Sequence, residues 1–128
     1  MRIIETPDAP VGNSAARFPF SQAVVAGGLI FVSGQGPFDP ATGAIVGTTI
    51  QEQTRQALTN VRAILAAAGS SMERVVNATF LLTRPEDFGG MNEEWARWFP
   101  VNPPARAGAR HPLQVDNLLI SMAVIAEA

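Results

Sequence analysis

The segment Leu118-Leu-Ile-Ser-Met-Ala-Val-Ile-Ala126 decides the fold of this chain. Successive side chains of a strand point to opposite faces, and here both alternating sets are apolar. One face would carry Leu118, Ile120, Met122 and Val124, and the other Leu119, Ala123 and Ile125. A strand that is apolar on both faces is normally buried on both. The segment therefore predicts the inner strand of a sheet that is covered on both sides.

Two helices are predicted upstream of this strand. Between about Thr49 and Ala68, apolar side chains recur at three- and four-residue steps, and Gly69 supplies the left-handed residue that ends a helix. A second helix is predicted from a capping box at Thr83-x-x-Glu86, with Pro85 in its first turn, to about Phe99. Its apolar stripe includes Trp95, which we interpret as a core residue rather than a platform for a cofactor.

The remaining segments are predicted to be mostly strands. Residues 18–33 should form a hairpin that turns at Gly27-Gly28, with an optional short strand at 44–46. Residues 75–82, 105–110 and 118–126 complete the order β-β-(β)-α-β-α-β-β. This order favours an α+β fold in which two helices pack on one face of a mixed sheet. Because two helices cover only one face, we expect another copy of the chain to cover the other.

Composition excludes several kinds of site. The chain has 128 residues, which fits a single domain over 1–128, and a net charge of −2. All nine basic residues are Arg and they do not cluster, so the basic stripe of a nucleic-acid-binding protein is lacking. With no Cys and with His111 as the only His, the chain offers no thiolate, no disulfide and no multi-His metal site.

Targeting signals are also lacking in the sequence. The first residues do not form the apolar core of a signal peptide, and no apolar run approaches the ~20 residues of a membrane span. We therefore expect a soluble cytoplasmic protein with neither a membrane nor a nucleic acid as partner.

The segment Asn102-Pro-Pro-Ala-Arg106 presents one guanidinium directly behind two prolines. Proline fixes φ, so the approach to the next strand is stiff and Arg106 would be held at a fixed place. A planar fork of donors suits a carboxylate, although a weak surface ion pair is the alternative reading. Arg110 follows Arg106 by four residues, an even number, so on a regular strand it could lie on the same face. A second arginine there would favour a doubly anionic ligand. The alternative for Arg110 is an exposed residue at a strand end.

Several motifs together resemble the reactive intermediate deaminase family (Rid, formerly YjgF, also called endoribonuclease L-PSP). They occur in the family's order at 21–24, 31–35, 53–69, 87–92 and 103–106. The resemblance implies a chorismate-mutase-like fold assembled as a homotrimer with clefts between subunits. It implies the hydrolysis of small 2-imino or enamine carboxylic acids to 2-oxo acids and ammonia, with no metal and no cofactor.

The resemblance also implies a set of site residues. Arg106 falls on the carboxylate-binding arginine of the family, and Gly108 on a position whose backbone carbonyl is used, where many members have Cys. Ser33 and Asn92 fall on small polar positions of the cleft, although either could simply satisfy local hydrogen bonds. Phe20 replaces a Tyr.

Position 122 is the most serious departure, because Met122 stands where deaminating members are expected to carry a Glu that positions water. Losing a general base typically costs about 10²–10⁴-fold in rate, so another acid could substitute. The candidates are His111, Glu93, Glu94 and Asp116. The leading hypothesis is a deaminase that acts on a small carboxylate metabolite. The alternative is a non-catalytic trimer that binds small acids or acts as a chaperone, and a ribonuclease is a third reading supported only by the family's name.

Overall fold

The computed structural model describes residues 1–10 and 18–128, which form a six-stranded sheet with two α-helices on one of its faces. The strands are β1 (Arg2–Ile4), β2 (Ala23–Ala26), β3 (Leu29–Gln35), β4 (Val75–Leu82), β5 (Ala105–Arg110) and β6 (Ile120–Glu127). The helices are α1 (Ile50–Ala67) and α2 (Phe88–Trp98), and short 3-10 turns occupy Met72–Arg74 and Pro85–Asp87.

The sheet is mixed, with the strand order β1-β2-β3-β6-β4-β5. β4 and β5 are parallel, and the other neighbouring pairs are antiparallel. β6 lies between β3 and β4, as its apolar sequence predicted. The α+β prediction, with two helices on one face of a mixed sheet, is confirmed.

Local capping differs from the sequence prediction at the second helix. The Thr83 hydroxyl does not cap a helix but donates to the Leu118 carbonyl at 2.9 Å, and Pro85–Asp87 form a 3-10 turn before α2 begins. A capping box does occur at the start of α1, where Thr49 and Glu52 satisfy each other's backbone N–H groups. The Thr-x-x-Glu pattern at residue 83 was misleading because its hydroxyl has a tertiary partner.

The strand bounds also differ in part from prediction. The hairpin is present, but its first strand begins at Ala23 rather than near residue 18. The optional strand at 44–46 is reduced to one bridge between Phe38 and Ile45. β1 was not predicted, because three residues carry too little periodicity.

Buried amides of α1 hold the loops at one end of the sheet. The Asn60 side chain donates to the carbonyls of Gly36 at 3.1 Å and Phe38 at 2.9 Å. The Gln53 side chain donates to the Asn117 carbonyl at 2.7 Å and accepts from the Leu119 N–H at 2.9 Å. The loops that follow β3 and precede β6 are therefore fixed to the helix layer.

The opposite face of the sheet is apolar and uncovered by the described residues. Phe31 and Val76 remain 43% and 41% exposed there, although strand residues of this type are usually buried. Ile125, the register partner of Phe31 on β6, is only half-buried. In the described part of the chain, no helix is long and apolar enough to cross a membrane.

Glu94 on α2 is buried and links the two helices. Its carboxylate accepts hydrogen bonds from Arg55 of α1 at 3.0 and 3.3 Å and from the indole N–H of Trp98 at 2.9 Å. Burial alone would raise the pKa of the Glu94 carboxyl. The bonds from Arg55 and Trp98 outweigh burial, so the pKa lies below its ordinary value of 4.5.

Replacing Glu94 with Gln should lower the free energy of unfolding at pH 7 by about 1–2 kcal/mol, because a charged acceptor is lost. A carboxyl group whose pKa is lower in the folded than in the unfolded state stabilises the fold at pH values above the unfolded-state pKa. This stabilisation is lost as the pH falls through the folded-state pKa of Glu94. Urea unfolding should therefore show that the difference in unfolding free energy between wild type and E94Q shrinks as the pH falls below the ordinary carboxyl pKa of 4.5.

Glu93→Gln is the matched control, since Glu93 is exposed on the same helix. E93Q should leave the unfolding free energy at pH 7 within about 0.5 kcal/mol of wild type. A gap for E94Q that stays constant down to pH 3 would contradict the assigned ion pair.

Candidate ligand-binding site at the open edge of the sheet

β5 forms one edge of the sheet and carries the proline-stiffened arginine. It pairs with β4 only, in parallel, with Ala78, Phe80 and Leu82 opposite Arg106, Gly108 and Arg110. Ala78, Phe80 and Leu82 are buried on the helix side. The register therefore places Arg106, Gly108 and Arg110 on that same side, as strand alternation predicted.

The Arg106 guanidinium lies among three aromatic rings. Its central carbon is 5.0 Å from the ring centre of Phe80, 5.2 Å from that of Trp95 and 5.7 Å from that of Phe88. An aromatic face attracts a cation by about 0.5–2 kcal/mol, depending on how far water is excluded. Two elements of the fold, β4 and α2, thus fix the position of a residue on a third.

Among residues 1–10 and 18–128, Arg106 has no carboxylate partner; the ion pairs found there join Arg55 to Glu94 and Arg84 to Asp87. Burial lowers the pKa of the Arg106 guanidinium, though arginine stays protonated in proteins. A half-buried cation without a counter-ion favours an anionic ligand, because a partner would compensate its lost hydration.

The backbone of Gly108 points away from the sheet. The N–H of His111 donates to the Leu82 carbonyl of β4 at 2.8 Å. Backbone groups of successive strand residues point to alternate sides, so 107, 109 and 111 face β4 while 106, 108 and 110 face the open edge. The N–H and carbonyl of Gly108 are therefore directed outward, beside the Arg106 side chain.

Asn92 of α2 carries an unpaired polar atom. Its side-chain oxygen is buried and accepts no hydrogen bond from the described residues. Asn92 follows Phe88 by four residues and precedes Trp95 by three, so it shares the helix face of the two rings that contact Arg106. We call Arg106, Gly108 and Asn92 the β5 cluster.

Ser33 and Phe20 form a second group, the β3 cluster. The Ser33 hydroxyl donates to the Ser21 carbonyl at 2.5 Å, at a point where the register of β3 shifts against β6. Phe20 is 42% exposed and stacks on Phe18 with ring centres 5.9 Å apart. Phe20 and Gly34, the neighbour of Ser33, line a cavity of about 630 Å³.

One chain does not bring the two clusters together. β3 and β5 are three positions apart in the sheet, which at about 4.8 Å per strand is about 14 Å. In addition, the side chains of β3 alternate so that Val32 is buried under the helices and Ser33 is not. A small ligand cannot touch both clusters of the same chain.

Met122, which the resemblance places among the site residues, lies away from both clusters. Its side chain is 1% exposed and belongs to the hydrophobic core beneath the helices, with Phe80 and Gln35 as register partners. Strand alternation is the physical reason, because even positions of β6 face the helices. Ser121 and Ala123 face the other way and supply a hydroxyl but no carboxylate.

The candidate replacement acids are not gathered at either cluster. Glu94 is held by Arg55 and Trp98, and Glu93 and Asp116 are exposed. His111 accepts the Leu113 N–H at 3.1 Å on the loop after β5. Arg110 shares the face of Arg106, but it is exposed and lines a cavity of about 330 Å³ with His111 and Arg84.

Comparison with known proteins identifies the family. The family model described as Endoribonuclease L-PSP matches residues 11–128. The chain belongs to this family. It is the YjgF/RidA family, so the resemblance drawn from the sequence motifs is confirmed.

Several related proteins and solved structures are similar to this chain over most of its length. A RutC family protein of Pyrococcus horikoshii is 41% identical over 122 residues, covering 95% of this chain and 92% of the relative. A 2-iminobutanoate/2-iminopropanoate deaminase of Capra hircus is 44% identical over 106 residues, covering 83% and 74%. The crystal structure of E. coli TdcF with bound serine matches with a TM-score of 0.87 at 32% identity, covering 100% and 99%. At family level, imine and enamine deamination is therefore supported.

The aromatic surroundings of Arg106 are not apparent from the sequence. Trp95 lies in the core at 5% exposure, as the apolar stripe of the helix predicts, and it also contacts Arg106. The available signal was the parallel pairing of β4 with β5, which would have aligned Phe80 with Gly108 beside Arg106.

Replacing Asn92 with Leu should leave the free energy of unfolding unchanged or raise it by about 1 kcal/mol, because an unpaired buried oxygen is removed. Thermal and urea unfolding would measure this change. A loss of more than about 1 kcal/mol would mean that the Asn92 side chain has a structural partner.

Proposed function

We propose that this protein is a deaminase that hydrolyses small 2-imino or enamine carboxylic acids to 2-oxo acids and ammonia. Arg106 binds the substrate carboxylate. The observation that carries the proposal is the position of Arg106: half-buried, surrounded by three aromatic rings and without a carboxylate partner among the described residues. The deaminase named among the relatives, and the serine bound by TdcF, support a small acid of this kind.

The β5 cluster matches the polar groups of such a substrate. A guanidinium fork pairs with a carboxylate through two parallel hydrogen bonds. The outward carbonyl of Gly108 can accept a hydrogen bond from the N–H of the iminium nitrogen. The buried Asn92 oxygen is a second acceptor on the same side.

The reaction needs few protein groups because a protonated imine is already electrophilic. Water adds to the C=NH₂⁺ carbon, and one proton moves from the added oxygen to nitrogen. The C–N bond then breaks to release ammonia, which takes the remaining hydroxyl proton and leaves as NH₄⁺. The balance is R–C(=NH₂⁺)–COO⁻ + H₂O → R–CO–COO⁻ + NH₄⁺. The Ser33 hydroxyl donates its hydrogen bond to the Ser21 carbonyl, so its lone pairs stay free to accept a hydrogen bond from the attacking water.

We infer that the working site lies between copies of the chain in a homotrimer. The β3 and β5 clusters are too far apart to share a small ligand within one chain. The apolar face around Phe31 gives a second copy a surface to cover. A neighbouring copy could then bring its β3 cluster to the β5 cluster of the first.

A non-catalytic small-acid-binding or chaperone-like trimer is the second candidate. The observation that favours it is that no residue of either cluster, and neither Ser121 nor Ala123 of β6, carries a carboxylate. The one acid that lines the cavity of the β3 cluster, among the described residues, is Asp39. Nucleic acid is not part of the proposal, because a net charge of −2 with dispersed arginines gives little attraction to phosphates. We place the protein in the cytoplasm.

Arg106→Ala should reduce kcat/KM for imine hydrolysis at least about 100-fold, because a charged bidentate contact is lost. An amino-acid oxidase would generate the imino acid, and ammonia release would be followed with and without the protein. Arg106→Lys is the matched control and should retain partial activity, about tenfold below wild type, since it keeps the charge but not the fork.

Two outcomes separate the candidates. Imine decay that is no faster with the wild-type protein than without it would reject the deaminase. Thermal stabilisation by 2-oxobutanoate in that case would select the binding module. Unchanged turnover in R106A would show that another residue binds the carboxylate.

Phe31→Glu should convert the trimer to monomers of 13.6 kDa and abolish activity, because a charge would be buried in the proposed interface. Sedimentation equilibrium measures the mass directly. Ala66→Glu, which adds the same charge to an exposed position on the outer side of α1, should keep both the trimer and the activity. An active monomeric F31E would contradict the composite site.

A further inference from the structure

We propose that Phe80 is a positioning residue for Arg106, and that it can act as one only because position 108 is glycine. The inference rests on the proposed function, in which Arg106 binds the substrate carboxylate. It adds that ligand affinity is set by the packing of a buried phenylalanine on the neighbouring strand.

Phe80 connects the hydrophobic core to the site. It lies on β4 between Met122 of β6 and Gly108 of β5, and it is 8% exposed. Its ring also lies 5.9 Å from the Phe88 ring, centre to centre, and 5.0 Å from the Arg106 guanidinium carbon. A side chain anchored in this way has little freedom to move and limits the positions open to Arg106.

The Phe80 ring occupies the space that a side chain at position 108 would need. A Cβ built on Gly108 would overlap three ring carbons, of which even the most distant is only 2.7 Å away. Real Cβ atoms do not approach carbon atoms so closely, so any other residue at 108 must displace the ring. Opposite Arg106 in the register stands Ala78, whose side chain is only a methyl group.

A substitution at position 108 should therefore change the position of the Arg106 side chain, two residues away. Moving the Phe80 ring removes one wall of the space that holds Arg106, and the guanidinium loses its fixed direction. Precise placement of binding groups accounts for a large part of their effect. Gly108 thus has two separable roles: its outward backbone at the site, and the missing side chain that lets Phe80 pack.

The test is a double-mutant cycle of Gly108→Ala and Phe80→Leu, with the dissociation constant for 2-oxobutanoate as the readout. G108A should weaken binding about tenfold in the wild-type background but less than about twofold in F80L, where the smaller side chain leaves room for the methyl group. Gly89→Ala is the matched control, since a Cβ there meets nothing within 4 Å, and it should bind like wild type.

A second readout does not depend on any ligand. The Nε–H signal of Arg106 in NMR spectra, assigned from its loss in R106K, should be shifted by the surrounding rings in wild type and G89A. It should move toward the position of a free arginine in G108A. If F80L does not fold, Phe80→Met takes its place in the cycle.

The outcomes separate the two claims. Equal weakening by G108A in both backgrounds, or an Arg106 signal that G108A leaves in place, would overturn the role of Phe80. If the wild type binds no 2-oxobutanoate and hydrolyses no imine, the proposed function fails. A shift of the Arg106 signal in G108A would still support the positioning in that case.

Discussion

The packing of α1 and α2 against a single face of the sheet is the constraint on which the other features of this protein depend. The side chains of β6 alternate between the two faces of the sheet. Those at even positions are buried beneath the helices, and those at odd positions lie on the opposite face. The same packing holds Phe80 and Trp95 in place, and these rings then fix Arg106 on the edge strand. It also leaves the apolar face around Phe31 uncovered by the described residues, and we propose that a second copy of the chain covers it.

The proposed chemistry depends on where polar groups lack partners. Arg106, the outward backbone of Gly108 and the side-chain oxygen of Asn92 lie on one side of the structure, and none of them has a hydrogen-bond partner among residues 1–10 and 18–128. Such groups cost stability in the isolated chain and gain it when a ligand with a carboxylate and a nitrogen donor is bound. By contrast, Glu94 and Asp87 are buried acids already paired with arginines, and they serve the fold rather than a reaction.

Much of the fold could be predicted from the sequence because long periodic segments determine it. The helix ending at Gly69 and the strands over 75–82, 105–110 and 118–126 were found close to their observed bounds. Short or tertiary features could not be predicted, such as β1, or the Thr83 hydroxyl that bonds Leu118 instead of capping a helix. At the site, the two prolines pointed to Arg106, but Met122 was expected beside a ligand and lies in the core. The strand alternation that places it there was visible in the sequence, whereas the contact of Trp95 with Arg106 required the three-dimensional packing.

We propose that one ligand is held by Arg106 of one copy and by the β3 cluster of another. A crystal structure of the assembled protein with bound 2-oxobutanoate would show whether this is so. We expect the carboxylate to pair through two hydrogen bonds with Arg106, and Ser33 and Phe20 of a neighbouring copy to lie at the other end of the ligand. A carboxylate bound away from Arg106, or a site built from a single chain, would refute the composite site.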